Sequence, residues 1–96
     1  MINITPIKID GKTAVGVKVG LPESPPLLLV MGERGFVMCG FLNMDAAEKL
    51  NVTAAMVSGV KSFDDVLEAE VKAVTSEARK KGIKPGMTGK EALKLL

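Results

Sequence analysis

The chain has 96 residues and a mass of 10.1 kDa; 47% of its side chains are hydrophobic, 25% are charged, and the formal net charge is +2. That is the length of one globular domain, residues 1–96, and too apolar a composition for disorder. With no His and a single Cys, the chain excludes His-containing zinc and haem sites, a Ser-His-Asp triad, a Cys-His dyad and any internal disulfide.

The first 41 residues read as strands. Ile2 and Ile4 alternate, Pro6 interrupts, and Ile7 and Ile9 resume on the other phase. A bulge or an edge strand at Pro6 accounts for the slip. Asp10-Gly11 is a two-residue hairpin signal. The return strand puts Val15, Val17 and Val19 on one face and Ala14, Gly16 and Lys18 on the other. Gly16 there admits a close neighbour. Pro22, Pro25 and Pro26 then impose a loop. Leu27–Met31 and Phe36–Cys39 flank a glycine-bounded turn at 32–35 and form a second hairpin, apolar on both faces. A sheet of that kind needs two covers.

The remainder reads as mostly helical. Asn43 is a cap for a short helix with Met44, Ala47 and Leu50 at helical spacing. That helix is a crossover to a strand over Ala54 to Val60. Ser62 and Asp65 resemble a capping box, and Val71, Val74 and Ala78 form one apolar stripe. Gly82 sits where a helix ends in the left-handed conformation, with Ile83 folding back onto Ala78. Thr88 and Glu91 form a second capping box, opening a last helix with Ala92, Leu93 and Leu96. The late helices are short and cover one face of the sheet. Val15, Val17, Leu27, Leu29 and Met31 are left to a second copy of the chain, so a homo-oligomer is expected.

Charge is uneven along the chain. Residues 43–71 carry a net −4 and residues 72–96 a net +5, with Arg79, Lys80, Lys81 and Lys84 the densest basic spot. A solvated helix C-terminus explains that cluster, and +2 overall does not argue for nucleic acid. No apolar run is long enough to span a membrane. The N-terminus lacks a basic, signal-like start, and the cytoplasm is the expected compartment.

Several motifs dissolve on inspection. Gly86–Lys90 lacks the first Gly and the Ser or Thr of a phosphate loop, and a turn with a helix cap explains it. Arg34–Phe41 matches the RNA-recognition octapeptide only at Arg34, Gly35, Phe36 and Phe41. Gly32–Gly35 has the spacing of the KH loop but joins strands, not helices. Asp64/Asp65 and Glu68/Glu70 are ordinary acids near a helix start, and the six Met are scattered, so no metal and no cofactor is implied. Cys39 is the one intrinsic nucleophile. It is either a small buried hydrophobe or a thiolate favoured by the helix start four residues on. A catalytic Cys39 would need a Lys or a carboxylate as its base.

The segment Gly35-Phe36-Val37-Met38-Cys39-Gly40-Phe41-Leu42-Asn43, with Asn3–Ile7, Ser58-Gly59-Val60, Gly82-Ile83, Gly86-Met87, Gly89 and Glu91-Ala92-Leu93, resembles the YunC-like domain of unknown function found in bacteria and archaea. The resemblance covers nearly the whole chain. It implies an N-terminal β region that mediates tetramer formation, and it carries over no activity. Met38, Cys39 and Gly40 fall on the family's central motif. Asn43 stands where Asp is usual, which preserves capping but not acid–base or metal chemistry.

The fold class expected is therefore α+β. A mostly antiparallel N-terminal sheet (1–41, the oligomerisation region) is followed by a crossover strand and three or four short helices (42–96). The leading function is a non-enzymatic oligomeric module that binds a small ligand or a protein. The alternative is a small cysteine-dependent enzyme or redox protein using Cys39. The expected binding residues are Arg34, Cys39, Gly40 and Asn43, placed where the 32–35 turn and the 39–43 corner approach a neighbouring subunit. Backbone N–H groups there favour a small anionic ligand, and Arg34 would pair with it.

Overall fold

A computed structural model describes residues 1–96. Its elements in chain order are β1 (Ile2–Ile9), β2 (Lys12–Val19), β3 (Leu27–Met31), β4 (Phe36–Met38), α1 (Met44–Lys49), β5 (Ala54–Met56), α2 (Phe63–Glu68), β6 (Ala73–Val74), α3 (Ser76–Lys80) and α4 (Gly89–Lys94). The six strands form one sheet in sequential order. All neighbours are antiparallel except β4 and β5, which run parallel and are joined through α1. This is an α+β fold, with a crossover where the sequence pattern places one.

The β1–β2 hairpin turns on Asp10 (φ 46°) and Gly11 (φ 81°), the two left-handed residues that a tight hairpin requires. Of the two alternatives expected at Pro6, the edge strand holds and the bulge is absent. Eight residues of β1 face eight of β2, and Pro6 sits directly opposite Val15. Pro6 is tolerated because β1 is an edge strand, where a missing N–H breaks no inner ladder. The change of phase comes instead from which face is covered at each end. Ile9 is buried and Ile7 half-buried under the helices, whereas Ile2 and Ile4 lie on the other face at 64% and 70% exposure.

The covered face carries the main core. Leu28, Val30, Val37, Ala55 and Val57 pack there against Val66 of α2, Ala78 of α3 and Ala92 and Leu93 of α4. Gly16 makes room at this interface: a Cβ would stand 2.7 Å from both Ile7 Cδ1 and Phe63 Cε1, and those side chains would have to shift. The second face is covered at one end only. There Met38, Ala47 and Ala54 form a small cluster, with Leu29, Phe36, Met44 and Met56 packed on it. A second cover therefore exists, contrary to expectation, but α1 reaches only the β4–β5 end. Leu50, expected on the buried stripe of α1, is instead its C-cap and 73% exposed.

The stretch 71–74 is extended, not helical. Ala73 and Val74 pair with Met56 and Ala55 to make β6, and α3 begins only after Thr75. Thr75 imposes this break. Its buried hydroxyl donates to Val52 O (2.8 Å) and accepts from Ala54 N (3.1 Å) and Ala78 N (3.3 Å), so one side chain closes the sheet edge and caps α3. The end of α3 is as expected. Gly82 (φ 91°) lets its own N–H reach Arg79 O at 3.0 Å and the Ile83 N–H reach Ala78 O at 3.1 Å, both bonds of a Schellman motif. The capping box of α4 is complete: Thr88 N–H donates to Glu91 Oε1 (2.9 Å) and Glu91 N–H to Thr88 Oγ1 (3.1 Å). No helix is long and apolar enough to cross a membrane.

Candidate functional site

Parallel strands linked by a crossover end side by side, and the loops that leave them frame a crevice at their carboxyl ends. Here β4 and β5 form such a pair. Val57 N–H still donates to Met38 O at 2.9 Å, so the two chains separate just after this point. Residues 39–43 lead from β4 into α1, and residues 57–62 lead from β5 into α2. Between the two loops lies a cleft of about 260 Å³. Cys39, Gly40 and Phe41 line it from the first loop and Ser58 to Lys61 from the second, while Pro25 and Pro26 close it from the loop before β3.

Cys39 forms the floor. Its residue is 4% exposed. The backbone pairs with Leu28, donating to Leu28 O at 3.1 Å, and Sγ accepts the Leu28 N–H at 3.3 Å. Gly40 follows, exposed, with nothing within 4 Å of the place where a Cβ would stand. Phe41 is 51% exposed at the rim. Gly59 (φ 71°) makes the bend after β5, and its Cβ position is likewise open. The chain then enters α2: Ser62 Oγ accepts from Asp65 N (3.1 Å), and Asp65 Oδ2 accepts from Lys61 N (3.0 Å). The carboxylate thus reaches one residue beyond the partner expected in a capping box.

Two of the four residues expected at a site lie in this cleft, Cys39 and Gly40. Asn43 does not line it. Asn43 Oδ1 accepts the Ala46 N–H at 3.1 Å and caps α1, the structural role that its chemistry allows. Arg34 is separated from Cys39 by the length of β4. It sits in the turn that enters that strand, where its N–H donates to Leu96 O at 2.7 Å. Within one chain, then, Arg34 and Cys39 are not brought together. The cation of the cleft is Lys61. The second loop carried a usable signal: once 43–50 is read as a crossover between parallel strands, the residues after the second strand become site candidates.

A family model described as "Domain of unknown function (DUF1805)" matches residues 38–96, starting at the motif that forms the cleft floor. The chain belongs to the DUF1805 family. It is similar to the uncharacterized protein YunC of Bacillus subtilis, with 36% identity over 97 residues, covering 97% of this chain and 95% of YunC. It is also similar to the crystal structure of a protein of unknown function, TA1206 from Thermoplasma acidophilum. That match has a TM-score of 0.92 and 39% identity, and it covers 98% of this chain and 91% of that one. The DUF1805 match starts at Met38, the last residue of β4, runs through α4 and leaves out β1 to β3.

Proposed function

We propose that this DUF1805 protein is a non-enzymatic, self-assembling module whose copies join through the open face of the sheet. One observation carries this. Ile4, Val17, Leu29, Met38, Met56 and Ala73 are successive ladder partners across all six strands, and ladder partners share a face. The row is apolar from edge to edge, yet α1 covers it only near Met38. Flanking rows continue the pattern: Ile2, Val19 and Leu27 on one side, Pro6, Val15, Met31 and Phe36 on the other. These three rows hold no charged residue; Lys8, paired with Thr13 beside the hairpin turn, is one row further on. A contiguous apolar face on a small chain is the mark of an association surface, and a second copy offers the same chemistry in symmetric form. The resemblance to the YunC-like family favours four copies.

The test is the solution mass of the wild type beside Val17→Asp, a substitution at the middle of the open row. The wild type should run as a defined multiple of 10.1 kDa and the variant should fall to the monomer. Val17 is half-buried on the open face, so the variant should keep its circular dichroism spectrum. A wild-type monomer, or a variant that assembles unchanged, would overturn the assignment.

A further inference from the structure

The cleft after β4 and β5 is mainly apolar, with free hydrogen-bond donors in the two loops that frame it. The backbone N–H groups of Gly40, Phe41, Ser58, Gly59 and Val60 donate to no group of the chain. Lys61 forms no ion pair; the two salt bridges are Lys80–Glu77 and Lys94–Asp10. None of the lining residues is acidic. The carboxylate of the next helix, Asp65, is engaged by the Lys61 N–H. The carbonyls of Gly40, Phe41, Ser58, Gly59 and Val60 are equally free, so the Lys61 ammonium sets the preference, and it calls for a charged acceptor. The other wall is apolar, formed by Pro25, Pro26 and Phe41. The volume, about 260 Å³, falls just below the roughly 300–1,000 Å³ of sites for drug-sized ligands, so the occupant is small. Open space over Gly40 and Gly59 lets it approach the backbone closely.

We propose that this cleft binds a small monocarboxylate with a short apolar chain. The carboxylate lies against the Lys61 ammonium and the free amides of the two loops, and the chain lies against the two prolines and Phe41. The site is complete within one chain, so it stands or falls separately from self-association.

Butyrate is the probe, with butyramide as its neutral counterpart, each titrated into isotope-labelled full-length protein and followed by amide NMR. Butyrate should shift the amide signals of Gly40, Phe41, Ser58, Gly59 and Val60 saturably, with butyramide at least tenfold weaker. Lys61→Met should weaken butyrate at least tenfold. Gly40→Leu, which places a side chain where the backbone has none nearby, should abolish the response while the melting curve stays that of the wild type. The absence of saturable shifts at these amides, equal binding of butyramide, or unchanged affinity in Lys61→Met would each overturn the proposal.

Discussion

Cys39 is the residue on which an enzymatic account of this chain would rest. Its thiol is a hydrogen-bond acceptor for the Leu28 N–H and lies at the floor of the cleft, 4% exposed. A thiol held in this way behaves as a packed hydrophobe. Alkylation of Cys39 at neutral pH should therefore be slower than that of a free thiol until denaturant is added. Labelling faster than the free thiol would move the protein to the cysteine-dependent alternative. Gly89 gives a sharper test of packing. It opens α4 and donates to Ala69 O at 2.9 Å, and a Cβ there would collide with the Val66 carbonyl. Helix propensity alone favours Ala over Gly by about 0.5–1 kcal/mol. The backbone clash should win, and Gly89→Ala should destabilise the fold by about 1–3 kcal/mol in denaturant unfolding. Stabilisation would mean that α2 and α4 yield to each other easily.

Caps govern the short helices, and most of them are legible from spacing. Asn43, Ser62 and Thr88 all accept the N–H three residues on, as their side-chain chemistry dictates. Thr75 does the same but is not evident in the sequence, because Val71, Val74 and Ala78 fit a helical stripe that runs straight through it. The deciding fact is tertiary: the Thr75 hydroxyl also closes onto Val52 and Ala54, and a two-residue strand has no periodicity to read. The α4 box carries a pH signature. The Thr88 backbone N–H, then its hydroxyl, hold the Glu91 carboxyl below the ordinary glutamate value. A lowered folded pKa gives stability that is present above the unfolded value and lost as pH falls through the folded one. Wild type should thus lose Tm relative to Glu91→Gln on going from about pH 6 to about pH 3. A constant difference between the two would show that the Glu91 charge is not read by the helix.

At the scale of the whole molecule the protein is a slab of 36 × 31 × 21 Å, a sheet with helices across one face and one short helix at a corner of the other. The two-faced apolar character of the second hairpin is visible in the sequence, because neither β3 nor β4 carries a polar residue on either face. Where the second cover stops is not visible, since that depends on α1 lying over Met38 and Ala54. The site was half legible for a similar reason. Cys39 and Gly40 belong to one continuous motif, but their neighbours Ser58 to Lys61 and Pro25–Pro26 come from distant segments that only the β4–β5 pairing and the β2–β3 loop bring together. Arg34 looks adjacent in sequence and is displaced by a strand length in space. The central claim is that the open row through Ile4, Val17 and Leu29 joins copies of the chain. The most direct measurement is the mass of the wild type and Val17→Asp by light scattering in dilute solution at moderate salt. A multimer that collapses to 10.1 kDa on that single substitution is the predicted result, and a wild-type monomer would contradict the account.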